Sequence, residues 1–480
     1  MYIQNEDTIC APATVPGTGA ISVIRVSGPE ALEIADRLVH CRKGRISETA
    51  GYTLKFGVIY REGSEGAKAS KEEIIDEVLV SVFRAPHSYT GENSVEISCH
   101  ASSYIVSAIM DRLYAAGARA AEPGEFTQRA YLNGKMDLAQ AEAVADVIAS
   151  QNAAAHRIAF KQMKGGFSSE LRQMRSELLE LVSLMELELD FSEEEVEFAD
   201  RSQLDSLLSQ VITHVSRLIE SFRLGNAIKN GVPVAIAGAT NTGKSTLLNA
   251  LLGEDRAIVS DVHGTTRDTI EETLNIDGVL FRFIDTAGLR ETTELVEQIG
   301  IERTFKKISE ASIVIGMIDL TRDNETTQET IREIIDKVDF ESQNLVILLN
   351  KLDISDENKF VNTKNLLVSE LEGKGVATII PISAKTGSGI ADLRTFLADS
   401  QRNLLGDSDT TLVTNQRHVQ ALADTRTSLH RVREGLAAGL PTDLAAQDIR
   451  EAIYHIGSIV GEISTDEVLG NIFANFCIGK

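Results

Sequence analysis

Gly238-Ala239-Thr240-Asn241-Thr242-Gly243-Lys244-Ser245 lies between an apolar run, Val234-Ala235-Ile236-Ala237, and the helix-patterned Thr246-Leu247-Leu248-Asn249-Ala250-Leu251-Leu252. A strand, a glycine loop and a helix in that order build a phosphate cradle. Backbone N–H groups of the loop and of the helix N-terminus converge on phosphate oxygens. Lys244 neutralises the terminal phosphates, and Ser245 places its hydroxyl for Mg²⁺. Gly238 and Gly243 leave room where side chains would block the anion. Taken alone, these residues also fit a glycine turn before a helix, so the reading needs the motifs that follow.

Asp285-Thr286-Ala287-Gly288 comes after the strand-like Val279-Leu280-Phe281-Arg282-Phe283-Ile284, where a Walker-B aspartate and its switch loop belong. Asn350-Lys351-Leu352-Asp353 follows the buried-strand run Leu345-Val346-Ile347-Leu348-Leu349, and Ser383-Ala384-Lys385 follows Thr378-Ile379-Ile380-Pro381-Ile382. Each motif sits at the carboxyl end of an expected strand, where doubly wound sheets bind ligands. The base-reading chemistry favours guanine. Asp353 can accept from the two N–H donors of the guanine edge, whereas adenine presents an acceptor at one of those places. A site built on such bonds rejects the wrong base strongly. GTP is the expected nucleotide.

At 480 residues the chain predicts about three domains. Its 43% hydrophobic content is ample for sizeable cores. No apolar run reaches the length of about eighteen residues that a membrane helix needs. The start, Met1-Tyr2-Ile3-Gln4-Asn5-Glu6-Asp7, has neither a basic nor an apolar leader region. Cys10, Cys41, Cys99 and Cys477 are scattered, without zinc or disulfide spacing, so a cytoplasmic protein with reduced thiols is expected. The net charge of −24 argues against this chain gripping a polyanion by itself.

Residues 1–120 read as α/β, with strand-like runs at Ala20–Val26 and Glu77–Phe83. From Asp137 the pattern turns helical. Asp137 can cap, Gln140 stands three residues on, and Ala139, Ala143, Val147 and Ile148 recur on one face. A second helix carries a core stripe of Leu171, Met174, Leu178, Leu181, Met185 and Leu189, and the acidic Glu193–Glu197 reads as a solvated turn or helix end. The nucleotide motifs occupy about 229–402, and helical periodicity returns from Thr414. A nucleotide module inserted into a helical domain accounts for this order.

Between Ala257 and Asp268 lies Ala-Ile-Val-Ser-Asp-Val-His-Gly-Thr-Thr-Arg-Asp, where one threonine should supply the second Mg²⁺ oxygen. Ras-type GTPases orient the attacking water with a glutamine directly after the switch glycine; here that place holds Leu289. An apolar side chain cannot orient water, and no arginine finger is evident in cis, so the positive charge must come from elsewhere.

With these residues in view, the chain closely resembles the MnmE (TrmE) family of tRNA-modification GTPases along its whole length. The resemblance is carried by the Asn241-bearing loop, Gly264-Thr265-Thr266-Arg267-Asp268, and Asp285-Thr286-Ala287-Gly288-Leu289-Arg290 with Val296-Glu297. Outside the nucleotide module it is carried by Ser88–Glu92, Pro123–Thr127, Leu132–Lys135, Asp137–Ala143 and the terminal Phe476-Cys477-Ile478-Gly479-Lys480. The resemblance implies a multidomain α/β plus all-α fold. Residues 1–120 would form an N-terminal α/β tetrahydrofolate-binding and dimerisation domain, and 121–228 and 403–480 a discontinuous helical domain. An inserted Ras-like P-loop G domain with a doubly wound sheet would span 229–402.

The resemblance further implies GTP hydrolysis that depends on K⁺ held between two G domains. Asn241 would be its side-chain ligand, with Ser260, Val262 and Thr265 completing the shell. Ser245 and Thr266 would hold Mg²⁺. The nucleotide would contact Asn241 to Thr246, Ser260, Asp261, Val262, His263, Gly264, Thr265, Thr266, Asp285 to Gly288, Asn350 to Asp353 and Ser383 to Lys385. Catalysis would draw on Asn241, Lys244 and Glu297, the last orienting water; a plain surface carboxylate is the other reading of Glu297.

A tetrahydrofolate, 5-formyl or 5,10-methylene, would lie at Arg25, Glu96, Lys135 and Lys480, although Arg25 and Lys135 also fit ordinary surface charge. Cys477 matches a cysteine considered catalytic in the family, and an unused thiol fits equally. The implied partners are a second copy of the chain, the flavoprotein MnmG (GidA), and tRNA gripped largely through MnmG. The implied product is a carboxymethylaminomethyl or aminomethyl group at carbon 5 of the wobble uridine. Two positions depart from the family pattern: Thr240, usually proline, and Ser98-Cys99-His100-Ala101-Ser102, usually glycine-rich. A ribosome-assembly GTPase of the Era or Der type is the alternative, although the chain has no basic Gly-x-x-Gly loop outside the nucleotide module to serve an RNA-binding domain.

Overall fold

Strand β11, Ile313–Asp319, is buried at every position, and β12, Asn344–Asn350, at all but its first. Such continuous apolar runs belong to parallel strands covered on both faces. The computed structural model describes residues 7–61, 73–190, 201–253, 272–284, 309, 311–401, 411–438, 442–463, 466–474, 476 and 479. The acidic 193–197 segment and the switch-loop residues fall outside them. The chain divides into two compact units: residues 1–149, 159–216 and 420–480 form one, and 150–158 with 217–419 the other.

Among the described residues, the first unit begins with seven strands: β1 Ile9–Pro12, β2 Ile21–Ser27, β3 Val39–Cys41, β4 Thr53–Tyr60, β5 Ile74–Phe83, β6 Ser94–His100 and β7 Arg119–Ala120. Their order is β3-β4-β5-β6-β2-β1-β7, antiparallel except for β1 with β7. Val78, Val80 and Val82 of β5 turn inward to meet Ile24, Val26, Val95 and Ile97, and the helices Ala31–Leu38 and Ser103–Ala115 cover this face. Leu54, Phe56 and Leu79 point to the other face and are exposed, the alternation expected of a sheet covered on one side.

Helices Glu125–Leu132, Leu138–Ala149, Gly166–Asp190, Thr442–Val460 and Asp466–Phe473 complete this unit's packing. Leu171, Met174, Leu178, Leu181 and Met185 are fully buried where Gly166–Asp190 lies along Thr442–Val460. In Leu138–Ala149, Ala139 and Ala143 are buried as the periodicity predicts, but Ile148 is exposed, because the last turn runs beyond the packed surface.

The second unit holds β8 Val232–Ala237, β9 Glu272–Ile276, β10 Val279–Ile284, β11, β12 and β13 Ala377–Pro381, ordered β13-β12-β11-β8-β10-β9. All neighbours are parallel except the β9–β10 hairpin. Asp277 and Gly278 form its two-residue loop with φ of 50° and 85°, the left-handed pair that matches strand twist. Alternate strand residues feed two cores. Ile315, Met317, Val346 and Leu348 meet the helices Lys244–Gly253 and Ile390–Ser400, while Val314, Ile318, Ile347 and Leu349 meet Asn324–Ile335 and Glu357–Leu371. The result is a doubly wound three-layer sandwich.

Candidate functional site

Strand β8 lies between β10 and β11, so the chain leaves it toward one side of the sheet and later returns on the other. The loop after such a strand opens at the crevice where open α/β sheets take ligands. Residues 238–243 span that loop and deliver the chain into the helix Lys244–Gly253. Two glycines are required by space. A Cβ at Gly238, at φ +149°, would stand 2.6 Å from the Met317 carbonyl, and one at Gly243, at φ +98°, 2.5 Å from Asn350 Nδ2. Asn241, with an exposed side chain, also takes a left-handed conformation, φ +61°.

The loop turns its carbonyls toward donors. Lys244 Nζ donates to Gly238 O and Ala239 O, both at 2.8 Å, and Thr242 Oγ1 donates to Ala239 O at 2.9 Å. Asn350 Nδ2 donates to Thr242 O at 2.7 Å, and Arg322 Nη2 to Thr240 O at 2.5 Å. With these oxygens engaged, the amide groups of the same peptides are free to face an anion, as in a backbone nest. Burial, and then the charge of Arg322, push the Lys244 ammonium below the usual lysine range. A phosphate ligand would favour its charged form and oppose that shift.

The base-reading motif is joined to the loop. Buried Asn350 ends β12 and accepts from Ala384 N at 3.0 Å, so the Asn350 and Ser383-Ala384-Lys385 motifs meet directly. Lys351, at φ +68°, extends its Nζ to Asp319 Oδ2 at 2.7 Å. Asp319 Oδ1 accepts from the amide and hydroxyl of Thr321. Burial alone would raise Asp319, but Lys351 and Thr321 outweigh it and hold the carboxyl below the usual range. Leu352 and Asp353 lie in the 3₁₀ turn Leu352–Ile354, where Asp353 is exposed and available to a ligand. Ser260, Asp261, Val262, His263, Gly264, Thr265, Thr266, Asp285, Thr286, Ala287, Gly288 and Glu297 lie outside the described residues. Sequence reading missed Asp319 and Arg322; the available signal was an acidic residue closing the all-apolar β11.

In the first unit, Arg25 and Glu96 are cross-strand partners in the β2–β6 register. Arg25 Nε and Nη2 donate to Glu96 Oε1 at 3.0 and 2.8 Å. The guanidinium lies 5.2 Å from the Tyr89 ring centroid and 5.6 Å from that of Phe126, within cation–π range. Its Nη1 donates to Gly479 O at 3.4 Å, so the C-terminal segment reaches the same place. Lys135 Nζ donates to Pro86 O at 2.9 Å. Ser98-Cys99-His100 completes β6, where burial raises the Cys99 thiol to about 11 and His100 Nδ1 meets buried Asp76 at 2.8 Å. Cys477 and Lys480 lie outside the described residues. Cys10, Cys41 and Cys99 are free thiols, and among the described residues no helix is long and apolar enough to cross a membrane.

Sheet order, phosphate loop and base-reading motif define a P-loop nucleotide-binding protein. A family model described as "GTP-binding protein TrmE N-terminus" matches residues 8–135, and one described as "MnmE helical domain" matches 138–477. The tRNA modification GTPase MnmE of Parabacteroides distasonis is 52% identical, the match covering 98% of this chain and all of the relative. The protein of the same description in Bacteroides thetaiotaomicron is 52% identical, covering 99% of this chain and all of the relative. A GTP-binding protein of Sulfolobus solfataricus solved with GDP is 21% identical, covers 48% of this chain and 67% of its own, and has a TM-score of 0.28, an overlap too loose to bear on function. The chain belongs to the MnmE family of tRNA modification GTPases.

Proposed function

We propose that this protein is a K⁺-dependent GTPase that, with the flavoprotein MnmG, modifies carbon 5 of the wobble uridine of certain tRNAs in the cytoplasm. Membership of the family makes the chain a GTP hydrolase with a role in tRNA modification. The observation that carries the nucleotide chemistry is the loop whose carbonyls at 238, 239, 240 and 242 are all held by donors. That arrangement presents the intervening amides and Lys244 to phosphate, while Asn350 ties the base motif to the same loop.

The protein's own groups divide the work. Lys244 and the helix N-terminus at Lys244–Gly253 bind the terminal phosphates, and Asp353 selects guanine. Ser245 and Thr266 would hold Mg²⁺, and Glu297 would orient the attacking water. The exposed side-chain amide of Asn241 offers the oxygen a hard cation takes, and Ser260, Val262 and Thr265 would join it. K⁺ held there would supply the positive charge that an arginine finger supplies elsewhere. Arg25, between Tyr89 and Phe126 and beside Gly479, offers charge and flat apolar surface to a tetrahydrofolate that brings the one-carbon unit. The domains are assigned as 1–120, 121–228, 229–402 and 403–480, and two copies pair through the first.

Hydrolysis is expected to be faster in K⁺ than in Na⁺. Asn241→Ala should remove that difference while GDP still binds, because the phosphate contacts are mostly backbone. Equal wild-type rates in both salts defeat the K⁺ reading; turnover of ATP as readily as GTP defeats the base assignment. In a strain lacking the gene, tRNA nucleosides should lose the carbon-5 aminomethyl-type uridines.

A further inference from the structure

Resting on the GTPase reading, we propose that Arg322 is a positioning residue for GTP hydrolysis: it grips the peptide between Thr240 and Asn241 from outside the phosphate loop and fixes the direction of the Asn241 backbone N–H. Strands β8 and β11 are parallel neighbours, with Ala237 opposite Gly316, so the loop after β11 stands beside the phosphate loop. That second loop is itself pinned. Leu320 N donates to Asn350 O at 3.1 Å, Thr321 N to Asp319 Oδ1 at 2.9 Å, and Arg322 N to Asp319 O at 3.2 Å. Asp323 then caps the helix Asn324–Ile335 by accepting from Thr326 N at 2.8 Å. The Arg322 backbone is therefore held, and its side chain, 31% exposed, passes Asp319 Oδ2 at 3.9 Å to reach Thr240 O at 2.5 Å.

This contact matters because Thr240 O and the Asn241 N–H belong to one planar peptide, so holding the oxygen aims the amide. Asn241 stands at φ +61°, a left-handed conformation that asparagine tolerates better than most non-glycine residues and that a held peptide helps to fix. The other engaged carbonyls are held by Lys244, Thr242 and Asn350, all within the recognisable motifs. Thr240 O alone among them is held by a residue outside any motif. A charged donor on that oxygen also polarises the peptide, making the Asn241 N–H a stronger donor to phosphate. Through Asp319, Arg322 is linked to Lys351 of the base motif, and its nearness to Lys244 is felt in the depressed ammonium.

The test compares the full chain with Arg322→Ala, Arg322→Lys and Asp323→Ala in GTP hydrolysis across a K⁺ titration. Loss of a charge-assisted bond predicts that Arg322→Ala lowers kcat/KM roughly ten- to hundredfold and raises the K⁺ concentration for half-maximal rate. Arg322→Lys, which can still place a cation on a single carbonyl, should restore most of the rate. Asp323→Ala removes the helix cap without touching Thr240; it should lower thermal stability and leave the K⁺ titration unmoved. If Arg322→Ala unfolds, Arg322→Gln, of similar length but uncharged, is read in its place. Wild-type rate and wild-type K⁺ dependence in Arg322→Ala overturn the proposal, as does an equal shift in Asp323→Ala. A wild-type chain that does not hydrolyse GTP defeats the GTPase reading instead.

Discussion

Among the described residues, Arg129 is the largest of the side chains almost wholly withdrawn from solvent, and it is charged. Its Nη1 donates to Asp7 O at 2.9 Å and to Glu92 at 3.2 Å, and its Nη2 to Asp7 Oδ1 at 2.6 Å and Glu125 at 2.9 Å. Arg119 shares Glu125 and Asp7 from the other side. Burial alone would raise both carboxyls, but the two arginines, with the Glu122 amide at Glu125, outweigh it and hold them below the usual range. Removing one member of a buried ionic group leaves the others uncompensated, so Arg129→Ala should cost about 3–5 kcal/mol in urea unfolding of the first unit. The sign with pH follows from the depressed carboxyls. Their contribution is complete above the unfolded value of about 4 and is lost as pH falls through the lower folded values. Half-exposed Asp7 contributes less than buried Glu125. In Arg129→Ala the folded carboxyls move back toward their unfolded values, so stability should fall less steeply as pH drops below about 4; an unchanged slope and a cost under about 1 kcal/mol would assign the cluster no structural weight.

Among the elements, the helix Leu138–Ala149 shows which features are written locally. Asp137 N donates to Gln140 Oε1 at 3.0 Å and Gln140 N to Asp137 Oδ1 at 2.9 Å, the reciprocal cap that their spacing predicts. Asp137 also accepts from Ser168 Oγ at 3.0 Å and Arg172 Nη2 at 2.6 Å, fastening the helix Gly166–Asp190 to this start. Asp137→Ala should therefore reach the upper end of cap losses, about 2 kcal/mol. Asp137→Asn, which keeps an acceptor and loses the charge opposite Arg172, should cost less than half as much. Equal costs, read from urea midpoints, would assign the effect to the ion pair. Such caps and stripes were legible because they join residues within a turn or two; Leu171 to Met185 declare their buried face by spacing alone. The phosphate loop and the base motif were legible for the same reason. The Arg322–Thr240 contact was not, since 82 residues separate its ends and only the β8–β11 pairing brings them together. Ile148 misled the periodicity because a helix's last turn can extend beyond its partner.

At the scale of the whole chain, the last residues return to the first. Gly124, at φ +70°, leaves space that a Cβ would take from Phe473 O at 2.7 Å and Phe476 Cβ at 2.9 Å. Tyr131 lies against Phe473, and Phe473 against Phe476, with ring centroids 6.5 and 5.3 Å apart. Gly479, at φ +94°, passes so close to β1 that a Cβ would stand 2.3 Å from Pro12 O. Its carbonyl receives Arg25. The phosphate-loop and base-motif residues belong to the other compact unit, 217–419. The two chemistries should therefore separate. Deleting Phe476 to Lys480, or the single change Gly479→Val, should weaken 5-formyltetrahydrofolate binding and abolish tRNA modification while GTP turnover continues. Arg25→Ala should behave alike, since a lost charge-assisted hydrogen bond typically costs about 1.5–3 kcal/mol, roughly ten- to hundredfold in affinity. Isothermal titration with the folate, beside a GTPase assay of the same preparations, distinguishes the outcomes. Undiminished folate affinity in all three variants would place the folate elsewhere, and joint loss of both activities would show that the C-terminal segment supports folding of the chain and not one site.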